Sequence, residues 1–219
     1  MPIVESRELD RDVAGCAQAH QLLLATLDAI TDEQARQPSL LPGWSIGHVV
    51  THLARNADSH VLMLAAADRG DVADQYPGGN AQRREEIELG SGRSAAELTA
   101  DARTSIWRLE GVWANLSQGW LGKGRSLVGV VDAADLPFRR WREVTLHHSD
   151  LGLDYSWTDW PSDYVRIELA RMTAAWSSRR PMGLTALPAA ALGVEPVQRL
   201  AWLTGRTEID GLPPAGIFA

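Results

Sequence analysis

Three long stretches in the first half of this chain carry apolar residues at spacings of three, four and seven, the pattern of an amphipathic α-helix. The first covers residues 9–30. Ser45 stands in the position of an N-cap before the second, which ends near Gly70, and Ser94 with Glu97 forms a capping-box sequence before the third. Such faces are buried by packing the helices against one another, so the pattern favours a helical fold.

A long loop precedes a fourth helix of the same kind. Residues 117–132 contain four glycines and a short apolar run, which indicate a loop with a candidate strand at 127–131. Asp135 followed by Pro137 then predicts a helix start. A short charged helix is expected around residues 83–89. Four long helices joined by short connections, apart from one crossover, predict a mainly α fold with a four-helix bundle.

The C-terminal part of the chain has a different pattern. It predicts a fifth helix over residues 163–178, a weak candidate strand at 184–187 and a last short helix over 196–205. We therefore expect a small C-terminal α/β unit. The expected domains are the bundle, residues 1–158, and the appended unit, residues 159–219.

Charge and hydropathy exclude several classes of partner. The net charge is −7, which disfavours nucleic acid, and the basic cluster of Arg139, Arg140 and Arg142 is too short to reverse that judgement. No apolar run approaches the roughly 20 residues that span a bilayer. The first residues lack the pattern of a signal peptide, so we expect a cytoplasmic protein without nucleic-acid or membrane partners.

The cysteine count limits the kinds of metal site. Cys16 is the single cysteine, so an intramolecular disulfide and the cysteine-rich zinc modules are excluded. Cys16 lies in a helical pattern and is expected to be a small buried hydrophobe. Any metal must be held by histidine and carboxylate side chains.

Two helices carry such side chains at ligand spacing. Glu143 and His147 are four residues apart and share one helix face, whereas His148 is rotated away by about 100°. His48 and His52 have the same four-residue spacing in the second helix. A bundle that brings these helices together would gather two imidazoles and one carboxylate and leave a fourth position for water or substrate. Spacing alone leaves an alternative open, because Glu and His at this spacing also form ordinary surface pairs.

Longer motifs point to a known family. The stretch LPGWSIGHVVTHLARNA at residues 41–57, joined to REVTLHHSDL at 142–151, resembles the mycothiol-dependent maleylpyruvate isomerase family, a branch of the DinB-like metal-binding bundles. The resemblance covers roughly residues 8–155. It implies a DinB-like four-helix bundle and an enzyme that uses one divalent metal, zinc or another, together with mycothiol or a similar low-molecular-weight thiol.

The resemblance also assigns roles to residues. It implies that His52, Glu143 and His147 are the metal ligands and that His48 packs beside them. Asn56, one turn beyond His52, is implied to be a catalytic or substrate contact in the metal cavity, with a solvent-facing residue as the alternative.

The tail carries one further match. The sequence Leu203-Thr204-Gly205-Arg206 is similar to a Gly-Arg pair of the family, which implies that Arg206 takes part in catalysis and cofactor binding. The alternative is an ordinary cation near a helix C-terminus.

The implied reaction is the cis–trans isomerisation of maleylpyruvate to fumarylpyruvate, a step of gentisate degradation. The thiol adds to the double bond, the resulting single bond rotates, and elimination gives the trans isomer. Two other functions remain open: a thiol S-transferase, which stops after addition to an electrophile, and a non-catalytic metal-binding stress or regulatory bundle. The expected partners are a small-molecule substrate and the thiol, and the sequence leaves a monomer or a dimer open.

Overall fold

The computed structural model describes residues 3–179 and 185–216, and nearly all of its regular structure is helical. The expected mainly α fold is confirmed. The described part of the chain forms two compact units, Met1–Asp154 and Tyr155–Ala219. The helices of the first unit are α1 (Ile3–Leu27), α2 (Asp32–Arg36), α3 (Ile46–Asp68), α4 (Gly79–Ser91), α5 (Ala95–Asn115) and α6 (Leu136–Asp150).

The four long helices of the first unit pack into a bundle. α3 contacts α5 and α6, and α1 contacts the same two helices from the other side. Their shared core is apolar and almost completely buried, and its largest side chains include Leu53, Leu64, Leu98, Ile106 and Phe138. α3 and α6 are the most buried of these helices, with 16 of 23 and 11 of 15 residues inside, so their side chains have few ways to shift.

Capping residues determine where the helices begin. The side chain of Ser45 accepts a hydrogen bond from the backbone N–H of His48, and Ser94 accepts one from Glu97 in the same way, as the sequence predicts. Thr31 and Gln34 form a third capping box that starts the short helix α2, which the sequence analysis missed. Because α3 starts at a defined residue, the direction of every later side chain on it is defined as well.

The expected loop before α6 is a β-hairpin. Strands β1 (Lys123–Ser126) and β2 (Gly129–Asp132) pair antiparallel, with Ser126 opposite Gly129. The candidate strand at 127–131 was therefore shifted, since residues 127 and 128 form the turn. Gly129 has a φ of 130°, which only glycine adopts readily, and this allows the tight reversal.

The described part of the second unit, taken by itself, contains a short 3-10 helix (Trp157–Asp159) and the α-helices α7 (Ser162–Ser177), α8 (Ala189–Leu192) and α9 (Pro196–Leu203). α7 packs on α9, and the ring of Trp202 is buried between them. Of the candidate strand at 184–187, residue 184 lies outside the described residues and residues 185–187 form no strand. The described part of this unit offers them no second strand to pair with, and a lone strand has no partners for its backbone groups.

None of the described helices is both long and apolar enough to cross a membrane.

Two glycines in helix interiors predict opposite effects of the same mutation. A Cβ added at Gly15 on α1 would lie 2.3 Å from the ring of Trp141 on α6, whereas a Cβ at Gly111 on α5 would meet nothing within 4 Å. Alanine normally stabilises a helix by about 1 kcal/mol relative to glycine. We therefore expect Gly111→Ala to raise the free energy of unfolding by up to about 1 kcal/mol, and Gly15→Ala to lower it by about 1–3 kcal/mol through overpacking.

Urea unfolding followed by circular dichroism measures both changes. Equal stabilisation by the two mutations would contradict the close packing of α1 on α6.

Candidate metal centre

Three side chains from two helices meet at the interface of α3 and α6. His52 on α3 is 3% exposed, and its Nε2 lies 3.0 Å from Oε2 of Glu143 on α6. Nε2 of His147, one turn further along α6, lies 3.6 Å from the same oxygen. One ligand atom from each residue can be chosen so that all three lie within 4.8 Å of one another. Within residues 3–179 and 185–216 no other group of His, Cys, Asp and Glu side chains is this compact.

Neighbouring groups orient both imidazoles. Nδ1 of His147 lies 2.8 Å from a carboxylate oxygen of Asp150, which is buried. Nδ1 of His147 therefore donates, and its Nε2 lone pair is directed toward Glu143. Arg83 on α4 approaches Nδ1 of His52 at 3.3 Å, and because a guanidinium can only donate, Nε2 of His52 carries the proton shared with Glu143.

Burial and hydrogen bonding set the charges of these groups. Burial lowers the pKa of His52 to about 4, an effect only partly offset by its hydrogen bond to Glu143. Burial opposes ionisation of Glu143, but the hydrogen bond from His52 and the proximity of His147 outweigh it and hold the pKa of Glu143 well below its usual range. At neutral pH the site therefore offers a neutral imidazole and a carboxylate, the forms in which these groups bind metal ions.

Two of the three residues, His52 and Glu143, line a cavity of about 190 Å³. Asn56, one turn beyond His52 on α3, lies in its wall, and the tip of the β-hairpin closes one side. Two arginines face the same space. The lining includes His52, Asn56, His60, Tyr76, Arg83, Ser126, Leu127, Arg139 and Glu143.

Comparison with known proteins identifies the family. The sequence model of the mycothiol maleylpyruvate isomerase N-terminal domain matches residues 16–152, more than half of the chain. The chain belongs to this family. In a sequence comparison no protein of curated function matches it.

Solved structures of the mycothiol-dependent maleylpyruvate isomerase have the same fold as this family member. One superposes with a TM-score of 0.80 at 24% sequence identity, covering 91% of this chain and 90% of the other. A histidine-to-alanine mutant of that enzyme superposes with a TM-score of 0.79 at 23% identity over the same shares. At this level of identity the likeness establishes the fold, including the expected bundle.

Two neighbouring histidines, His48 on α3 and His148 on α6, have other contacts in this family member. His48 forms the capping box with Ser45, and its Nε2 lies 3.2 Å from Glu88. His148 points away from His147, as its position on the helix predicts, and its Nε2 lies 2.8 Å from the hydroxyl of Thr26 on α1.

Arg206 belongs to the second unit of the chain. It follows α9 directly, and its guanidinium donates to the backbone carbonyl of Thr204. Its role in catalysis and cofactor binding stays a prediction.

The sequence did not reveal the roles of two arginines: Arg83, which lines the cavity, and Arg140, which contacts Asn56 from inside the bundle. Arg83 lies on α4, and its sequence neighbourhood is an ordinary charged helix without any motif. Arg140 was assigned to a short basic cluster, but its side chain is completely buried in the bundle. One signal was available for Arg140: on the helix pattern of α6 it falls one turn before Glu143, on the inner face.

A buried histidine predicts how stability depends on pH. Burial lowers the pKa of His60 to about 3, well below its unfolded value, so His60 stays neutral in the folded protein while the unfolded chain takes up a proton. This contribution to stability is complete above about pH 6.5 and is lost as the pH falls toward 3. In metal-free protein, we expect His60→Leu to lose less stability than the wild type between pH 7 and pH 5.

Urea midpoints at pH 8, 7 and 5 provide the measurement. The values at pH 8, where both forms of the protein carry no charge at this position, give the packing effect of the mutation by itself. Parallel loss of stability in the two proteins below pH 7 would contradict a neutral buried His60.

Proposed function

We propose that this chain is a mycothiol-dependent maleylpyruvate isomerase and that it holds one divalent metal ion, zinc, with His52, Glu143 and His147. The observation that carries the proposal is the convergence of these three ligand atoms within 4.8 Å, beside a cavity that a small molecule can enter. Membership of the family supports the reaction.

The donor set fits zinc. Two imidazoles and one carboxylate with a fourth position left open are a known catalytic arrangement, and bonds of roughly 2.0–2.2 Å place tetrahedral ligands about 3–3.5 Å apart. The separations of 3.0 and 3.6 Å between the histidine nitrogens and Glu143 are close to this, and all three ligand atoms lie within 4.8 Å of one another. A zinc ion bound there supplies a Lewis acid that favours the thiolate form of a coordinating thiol.

The chain's own cysteine does not provide the nucleophile. Cys16 is completely buried in α1, and burial raises the pKa of its thiol far above the usual range. A thiolate at neutral pH must therefore come from a separate molecule, which supports dependence on a small thiol.

The residues around the centre orient the imidazole ligands and balance the charge of the metal ion. Asp150 keeps His147 in the tautomer that presents Nε2, and Glu143 supplies the negative charge that a divalent ion needs. When Nε2 of His52 binds a metal ion, the proton of the neutral imidazole resides on Nδ1, so Arg83 must donate elsewhere. Arg83 also lines the cavity, so its guanidinium can then donate to an acceptor bound there, such as a substrate carboxylate.

The C-terminal unit completes the proposal. We assign residues 1–158 to the metal-binding domain and residues 159–219 to a smaller domain, and the compactness of Met1–Asp154 supports such a division. Arg206 is proposed to bind a carboxylate of the substrate or the thiol cofactor through its guanidinium. We propose a cytoplasmic location for the protein.

Metal content tests the ligand assignment. Replacing His52, Glu143 or His147 singly by alanine removes one of three bonds to the ion, so each variant should retain less than about a tenth of the zinc that the wild type binds. His48→Ala provides a matched control, because it removes a histidine from α3 one turn before His52 and should keep its zinc. Zinc is measured by inductively coupled plasma mass spectrometry after dialysis, and equal retention in all four variants would remove the assignment.

Turnover tests the reaction. Zinc-loaded protein given maleylpyruvate and mycothiol should form fumarylpyruvate, and leaving out the thiol or adding a chelator should lower the rate at least about a hundredfold. Circular dichroism should show retained helicity after chelation, because the bundle has an apolar core of its own.

The products separate the isomerase from its alternatives. Recovery of the thiol in full with a trans product indicates isomerisation, whereas a stable thioether indicates an S-transferase. A zinc-bound protein without turnover on any electrophile would contradict both and favour a regulatory metal-binding bundle.

A further inference from the structure

One buried arginine connects all four long helices beside the metal centre. Arg140 on α6 is 0% exposed, and its Nη1 donates to the backbone carbonyl of Leu53 and to Oδ1 of Asn56, both at 2.8 Å. Its Nε donates to Nε2 of His20 on α1 at 3.1 Å. Nδ1 of His20 in turn lies 2.8 Å from Glu110 on α5.

These hydrogen bonds fix the directions of the Asn56 amide and the His20 ring, while Nη2 of Arg140 has no hydrogen-bond partner among the described residues. A guanidinium has donors only, so the atom of Asn56 that faces Arg140 must be the amide oxygen, and the Nε2 of His20 that faces it must be unprotonated. His20 therefore donates from Nδ1 to Glu110. A flip of the Asn56 amide would place two donors against each other inside the bundle, which costs the full desolvation of both groups.

Because Arg140 occupies the amide oxygen of Asn56, the amide nitrogen is the atom available to a ligand. Asn56 lines the cavity next to His52, and no described residue accepts a hydrogen bond from its amide nitrogen. Nδ1 of His60, also in the cavity wall, is a buried polar atom without a hydrogen-bond partner among the described residues. The amide nitrogen of Asn56 can only donate, so this wall is suited to a ligand that brings an oxygen acceptor.

The charges around the cavity select the class of ligand. Arg140 makes no ion pair with a described carboxylate, so its positive charge acts directly behind Asn56. Arg83 and Arg139 line the cavity itself, and Arg83 likewise has no carboxylate partner within the described part of the chain. Among the described residues of the lining, Glu143 is the one carboxylate, and a metal ion would neutralise it. The balance favours an anion.

We propose that the cavity is a carboxylate-binding subsite in which the amide of Asn56 donates to an oxygen of the substrate, with Arg140 as the positioning residue that holds the amide in this direction. The inference rests on the proposed function and names the part of the chain that grips the substrate beside the metal.

The sharpest test is Asn56→Asp, which replaces the donor by an acceptor with little change in shape. The variant keeps an oxygen for Arg140 and gives the buried guanidinium a carboxylate partner, so its thermal midpoint should not fall and its zinc content should be unchanged. Its affinity for maleate, a small cis dicarboxylate used as the probe, should weaken at least about tenfold through the lost hydrogen bond and the added repulsion.

Calorimetric titration of zinc-loaded protein with maleate measures this, and three matched experiments accompany it. Asn80→Asp makes the same chemical change at an exposed position of α4 and should bind maleate like the wild type. Asn56→Ala removes the donor without adding charge and should weaken binding less than Asn56→Asp does. Dimethyl maleate, which has the same double bond but no charge, should bind the wild type and Asn56→Asp equally weakly.

Arg140→Gln tests the positioning role separately. A residue that merely stabilises the bundle would lower the thermal midpoint and leave the maleate affinity of the zinc-loaded protein unchanged. A positioning residue weakens maleate binding while Asn56 is still present, and that is the expected result.

The outcomes separate this inference from the proposed function. Wild-type affinity for maleate in Asn56→Asp, or no maleate binding by wild-type protein that isomerises maleylpyruvate, would overturn the subsite and leave the isomerase proposal standing. Loss of maleate binding in Asn56→Asp with full zinc content supports the subsite even if the wild type shows no turnover.

Discussion

The contact between α3 and α6 is the interaction on which the rest of the site depends. His52 is contributed by one helix and Glu143 and His147 by the other, and 91 residues of chain separate the first two. The apolar packing of the bundle brings them together, because one buried and two half-buried polar side chains would otherwise favour water. The hydrophobic core therefore determines the geometry of the chemistry, although none of its residues reacts.

The polar groups at this interface are arranged so that each one fixes the orientation of its neighbour. Asp150 orients His147, Glu143 accepts from His52, and Arg83 holds the other nitrogen of His52. Beside them, inside the bundle, Arg140 joins Asn56 to His20. Polar networks of this kind are costly when a member is lost, and for that reason they hold a single arrangement when complete.

The sequence predicted the parts of the fold that depend on local rules. The starts of α3 and α5 follow from Ser45 and Ser94, since a capping side chain acts on the backbone a few residues away. The facing of Glu143 and His147 follows from helix periodicity alone. The hairpin was placed incorrectly because its turn depends on the conformation of Gly129, for which the neighbouring apolar residues give a misleading signal. Arg83 and Arg140 act through contacts with other helices, and a charged residue that will be buried looks the same in a sequence as one that will be solvated.

The end of α6 gives one residue two duties. The side chain of Asp150 orients His147, while its backbone carbonyl accepts from the N–H of Leu40 in the segment that leads into α3. The loop that leads to the helix of His52 is thus hydrogen-bonded to the same residue that orients His147. A change in the length of this loop would therefore have to preserve the hydrogen bond between Leu40 and Asp150 to keep both halves of the ligand set aligned.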